Sequence, residues 1–185
     1  MKRWIEDRLA ELRICPIGLS FTPLSGDEVA SLEAAFGGRL PDDYREFAQT
    51  YGAASFRQLV QFRLTNPSPI FAGVAGRRVE TAPFAHFYGS DAGGHALAKR
   101  LRLFNGRMPD TLIPIADDGG GNQICLGVAG AQLGKVYYWD HDNEWDEDDY
   151  EAEHGTDMPA EVRFQNVYLV SDSFEEFIGR LEATE

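Results

Sequence analysis

Cysteine is scarce in this chain: two residues in 185, Cys15 and Cys125, far apart and without the close spacing of a metal site. A disulfide scaffold is therefore excluded, and Cys125, inside the apolar run Ile124-Cys125-Leu126, reads as a buried free thiol. No run approaches the roughly 20 apolar residues that a membrane span requires, so no membrane is expected. The first residues, Met-Lys-Arg-Trp-Ile-Glu-Asp, lack the apolar core of a signal peptide, and a cytoplasmic location is expected. Positive charge is also short. Seventeen Lys and Arg face thirty Asp and Glu, a net of −13. Direct attraction to nucleic acid or to an anionic membrane is excluded by sign, and a basic partner is the natural complement.

Catalytic motifs are missing as well. There is no Gly-x-Ser-x-Gly elbow and no His-Glu-x-x-His pair. Gly89 to Gly94 has the glycine spacing of a phosphate loop, yet His95-Ala96 stand where Lys-Ser/Thr must be, and Gly134-Lys135 leads into a strand-like run. His86, His95, His141 and His154 are scattered, so no metal site and no cofactor are expected. His141, between Asp140 and Asp142, reads as a surface-loop residue.

What is present suits one folded domain: 43% apolar and 12% aromatic residues, without internal repeats or linkers. The first 2–14 residues carry Trp4, Ile5, Leu9 and Leu12 as a short amphipathic helix, an extension to a core expected over about 24–181. Ser25 and Glu28 have capping-box spacing and open a helix that stops at Gly37-Gly38. Leu40 to Gly52 forms the next one. Pro41 suits its first position, Asp42 and Asp43 its positive end, and Gly52 its stop. Tyr44, Phe47, Ala48 and Tyr51 fall at i, i+3, i+4 and i+7, one apolar stripe that packs on a sheet.

Extended segments follow. Phe56–Leu64 alternates partly, Asn66-Pro67-Ser68-Pro69 breaks the pattern, and Pro83–Gly89 reads as one strand. After a helix over His95–Phe104, the strands Leu112–Ala116, Gln123–Val128 and Lys135–Trp139 form a meander, turning at Asp117-Asp118-Gly119-Gly120-Gly121-Asn122. Asn166–Val170 is a last strand, and Ser171-Asp172-Ser173 caps a helix carrying Phe174, Phe177, Ile178 and Leu181. The fold class is α+β, with helices packed on a central, largely antiparallel sheet and a helix at the C-terminal end.

In order and spacing these pieces resemble the SUKH superfamily, in the branch of the yeast cell-wall assembly regulator and its bacterial relatives. The residues that carry the resemblance are Leu40, Pro41, Tyr44, Phe47, Tyr51 and Gly52, then Leu112–Ala116, Gly121 and Asn122, Gly134–His141, and Phe174 and Phe177. The resemblance implies a non-enzymatic protein. In bacteria this is an immunity protein that binds and neutralises a toxin; a toxin that attacks nucleic acid is basic around its site, so an acidic protein is expected to cover that active site. In fungi the domain is a regulatory scaffold with long disordered arms, which this sequence does not show. A carboxylate-dependent hydrolase is the third and weakest alternative.

The sharpest candidate for contact is the acidic stretch. Ten acids lie between Asp140 and Asp157 with no Lys or Arg among them, so most of the excess negative charge belongs to one segment. Trp139, Asp140, Asp142, Glu144, Trp145, Asp146, Glu147, Asp148, Asp149 and Tyr150 combine aromatic anchors with steering charge, as a monomer binding a basic toxin domain would need. A solvated loop that only aids solubility explains the composition equally well. The acids also brush the spacing of a calcium loop, but Trp145 stands where that loop needs glycine.

Overall fold

A computed structural model describes residues 1–65, 81–90 and 93–184. The Asn66–Pro69 breaker and part of the Gly89–Gly94 stretch lie outside them. The chain opens with α1 (Arg3–Glu11) and a short strand β1 (Ile14–Pro16). The capping box then forms as its spacing predicts. Ser25 accepts from Glu28 N, while the Glu28 carboxylate accepts from Ser25 N at 2.8 Å, opening α2 (Gly26–Phe36), which ends at Gly37 in the left-handed region.

Helix α3 (Asp42–Thr50) begins one residue later than expected. Pro41 occupies the extended cap position, and Asp42 and Asp43 fill the first turn. Tyr44, Phe47 and Ala48 are buried, and Tyr51 is half-buried. Phe47 meets Phe87 at 4.5 Å and Phe174 at 5.1 Å between ring centroids, which fastens the helix to the sheet and to the last helix. Gly52 has φ +62 and bridges Thr22. A Cβ there would stand 1.8 Å from the Thr22 carbonyl oxygen, and one on Gly89 would stand 2.0 Å from Ala53 N. Three backbone segments thus meet where no side chain fits, and Ser90 N donates to that Thr22 carbonyl at 2.9 Å.

Beyond this junction come β2 (Ala54–Phe56), β3 (Val60–Arg63), β4 (Thr81–Phe84), β5 (His86–Phe87), α4 (Leu97–Leu103), β6 (Leu112–Asp117), β7 (Gln123–Gly127) and β8 (Val136–Trp139). The chain then runs through α5 (Glu147–His154), β9 (Val167–Ser171), α6 (Phe174–Arg180) and β10 (Leu181–Ala183). Seven strands form an antiparallel sheet in the order β1-β2-β5-β6-β7-β8-β9, and a smaller sheet runs β10-β3-β4.

The partly alternating stretch Phe56–Leu64 holds the end of β2 and all of β3, which lie in different sheets. Pro83–Gly89, expected as one strand, is corrected: it changes sheet at Ala85. The change lets Phe84 and Phe87 enter one aromatic cluster, their rings 4.6 Å apart. Pro114 is tolerated inside the central strand because β6 shifts register between Pro114 and Ala116.

Every residue of β6 and β7 is buried, so the sheet is covered on both faces. One face holds the main core, including Ile113, Ile124, Leu126, Val136, Tyr138, Phe174 and Phe177. The other holds a smaller cluster of Phe104, Met108, Leu112, Cys125 and Trp139.

Candidate functional site

The turn after β6 is organised by one carboxylate. Asp118 Oδ1 accepts from Gly120 N at 2.7 Å and Asn122 N at 3.2 Å, and Oδ2 accepts from Asn122 Nδ2 and the Tyr138 hydroxyl, both at 2.7 Å. Asn122 passes the order on. Its Oδ1 accepts from the His141 backbone N–H at 3.0 Å and from the ring Nδ1 at 2.7 Å. Gly121, at φ +113, lets that ring lie close, since a Cβ would stand 2.9 Å from His141 Cε1. The glycine-rich turn and the entrance to the acidic segment are therefore one unit.

The first two expected contact residues do not face outward. Trp139 is fully buried in the smaller core, edge-on to Phe104 at 5.5 Å. Asp140 is 3% exposed, and its oxygens accept from Asp142 N at 3.1 Å and Asn143 Nδ2 at 3.0 Å. Asn166 holds the same residue from both sides, donating to Asp140 O at 2.7 Å and accepting from Asp140 N at 3.0 Å. These two residues brace the segment. Strand β8 buries both faces because the second cluster covers the side that a simple α+β layer would leave wet.

From Asp142 onward the segment does face solvent, and it is a helix where a loop is expected. Asp146 caps α5 by accepting from Asp148 N at 2.9 Å, Glu147, Asp148 and Asp149 occupy the positive end, and Gly155 at φ +71 terminates it. None of its side chains is buried. Rings hold its outer shape instead: Trp145 sits edge-on to Tyr150 at 5.7 Å and to His154 at 5.4 Å, and Tyr150 stacks on His154 at 4.0 Å.

Two arginines that sequence reasoning misses tie this unit down. Arg107 makes paired hydrogen bonds to Glu144 at 2.8 and 2.5 Å while its guanidinium lies over the rings of Phe104 and Trp139. Arg163 pairs with Glu147. Neither has a local sequence signal, because each partner lies 16 or more residues away. His154 does have one, its i, i+4 spacing from Tyr150 on a helix.

Among the described residues, Asp148, Asp149, Glu151, Glu153 and Asp157 are exposed and pair with no Lys or Arg. Beside them lies an open depression of about 560 Å³ lined by Arg107, His141, Glu144, Trp145 and Met158. The arrangement offers amphipathic rings next to uncompensated negative charge. It can receive a cationic surface, and it contains no nucleophile with an activating base.

The family model described as SMI1 / KNR4 family (SUKH-1) matches residues 23–180. The SPbeta prophage-derived uncharacterized protein YokK of Bacillus subtilis (strain 168) is 26% identical over 186 residues, which cover 96% of this chain and 84% of that protein.

Proposed function

The chain belongs to the SMI1 / KNR4 family (SUKH-1), and on that premise we propose that it is an immunity protein that binds a basic toxin domain and covers its active site. The family includes toxin-immunity proteins, and protein partners are its general mode of action. The supporting observation is α5. A helix with no buried side chain contributes nothing to the core, yet it is capped at both ends, held by Arg163 at Glu147 and by Arg107 at Glu144 just before it, and dressed with a ring cluster. Such a preformed, acidic, aromatic surface lowers the ordering cost of association and steers a cationic partner.

A toxin acting on nucleic acid carries positive charge where phosphates bind. Asp148, Asp149, Glu151 and Glu153 would take the place of those phosphates, with Trp145 and Tyr150 as the desolvated anchors. Inhibition is then occlusion, without turnover. The protein acts in the compartment where the toxin arrives, as a monomer facing one toxin domain.

Co-expression with the toxin domain encoded by a neighbouring gene tests this. The native chain rescues growth, and a triple D149K/E151K/E153K variant, which leaves the Asp146 cap in place, loses rescue and shows a flattened salt dependence of binding. Full rescue by a correctly folded triple variant, with affinity unchanged across a salt series, would refute the assignment of this surface.

A further inference from the structure

Two of the four histidines, nine positions apart in sequence, meet in space. His86 lies on β5 and His95 closes the 3₁₀ turn Gly93–His95, and their rings are 4.5 Å apart. Asp117 at the end of β6 is the register partner of His86. One ligand atom from each of the three lies within 4.8 Å of the other two.

The carboxylate is already oriented for such a role. Asp117 Oδ2 accepts from the Tyr88 hydroxyl at 2.9 Å and faces Arg100 at 3.9 Å. Oδ1 accepts from Gly119 N at 3.1 Å and is left facing His86 Nδ1 at 3.2 Å. His95 supplies an independent observation. Its Nδ1 is shielded from solvent and, among the described residues, has no hydrogen-bond partner. A buried ring nitrogen without a partner costs stability unless something satisfies it. Over this cluster opens a depression of about 440 Å³, lined also by Arg100, Gly119 and His141.

We propose that His86, His95 and Asp117 bind one divalent transition-metal ion, with zinc the best match, leaving its remaining coordination open to this depression. Two imidazoles and a carboxylate form a borderline-hard donor set that suits zinc, and three protein ligands with an open position mark a site that is not purely structural. Tyr88 acts from behind, holding the carboxylate by its outer oxygen so that the inner one points at the metal. The metal takes the place of the proton between His86 Nδ1 and Asp117 Oδ1, and that proton leaves to solvent. Arg100 weakens the site by charge, because its guanidinium stands near the same carboxylate. The three ligands lie outside α5, and their depression shares Arg107 and His141 with the one beside the acidic segment.

The test uses the full chain with Zn²⁺ in calorimetry and Co²⁺ as a visible-absorption probe. One equivalent is expected to bind, with His95→Ala weakening affinity at least about tenfold. His154→Ala, which removes the exposed histidine at the end of α5, is expected to leave affinity unchanged. Because His95 Nδ1 has no partner, the metal-free His95→Ala chain should melt no lower than the native one. A readout on the unmodified chain accompanies this: zinc should protect His86 and His95, but not exposed His154, from diethyl pyrocarbonate in peptide mass mapping. Absence of stoichiometric binding, affinity unchanged by His95→Ala, or equal labelling of all histidines with and without zinc would each overturn the site.

Discussion

Replacing Gly52 with alanine separates two reasons for a glycine that usually act together. The first is conformational: φ +62 places a non-glycine residue in the left-handed region, at about 1–2 kcal/mol. The second is steric. The new Cβ would lie 1.8 Å from Thr22 O, 2.5 Å from Thr22 C and 2.8 Å from Pro23 Cα, where ordinary contact begins at 3.4 Å. All three atoms are backbone, so no side chain can rotate away, and overpacking of this kind adds about 1–3 kcal/mol. The sum is about 2–5 kcal/mol, a large part of the stability of a typical domain. At about 2–4 °C per kcal/mol for a chain of this size, the melting temperature should fall by roughly 10 °C.

Gly37 is the control. Its φ is +69, yet a Cβ there would meet nothing within 4 Å, so Gly37→Ala carries the conformational cost alone. It should lower melting by only about 2–8 °C. The reduced entropy of the unfolded chain is common to both substitutions and cancels in the difference. Calorimetry and urea titration of the two variants give that difference directly. If Gly52→Ala melts within about 2 °C of Gly37→Ala, the close approach of Thr22 described above is wrong.

The two acidic-segment tryptophans should respond in opposite ways. Trp139→Ala empties a fully buried site and should cost about 3–5 kcal/mol in urea unfolding, whereas Trp145→Ala should cost less than about 1 kcal/mol, and equal losses would contradict the assigned burial. Glu28 carries a pH signature. Hydrogen bonds from the Ser90 hydroxyl, the Ser25 backbone and the Ser25 hydroxyl outweigh desolvation and hold its carboxyl below the ordinary glutamate value. A depressed native pKa contributes stability above the unfolded-state value, and that contribution is lost as pH falls through the native one. Glu28→Gln should therefore lower stability at neutral pH and flatten its decline in acid. Parallel acid melting curves for the two proteins would refute the assignment.

Local chemistry explains which elements are legible in the sequence. The capping box at Ser25, the Gly37 stop, the stripe on α3 and the cap of α6 each depend on residues within one or two turns, and each forms where its pattern lies. The meander β6-β7-β8 is read from its turn residues for the same reason. The ordered motifs also lead to the family whose model matches the chain. What fails is whatever distant packing decides. Whether 56–64 is one strand or two depends on which sheet each half joins, and β10 is only three residues long, recognised by its pairing with β3. Trp139 carries no mark of burial, because the cover on its face comes from Phe104 and Met108, about 30 residues earlier. The acidity of 146–154 suggests a loop, although Asp146, the i, i+4 ring pair and Gly155 were sufficient to write a helix. The location of the acidic surface is legible from composition. Its rigidity is not, because Arg107 and Arg163 come from elsewhere in the chain.

A helix that buries nothing also answers to no packing constraint. Substitutions along the outer face of α5 leave both hydrophobic clusters untouched, so its sequence is free to drift at a stability cost of a few tenths of a kcal/mol per change. Asp146, Gly155, the two arginine clamps and the ring cluster of Trp145, Tyr150 and His154 must persist for the segment to keep its shape. The fold thus carries an exchangeable cassette whose surface can be rewritten while the scaffold beneath it stays the same.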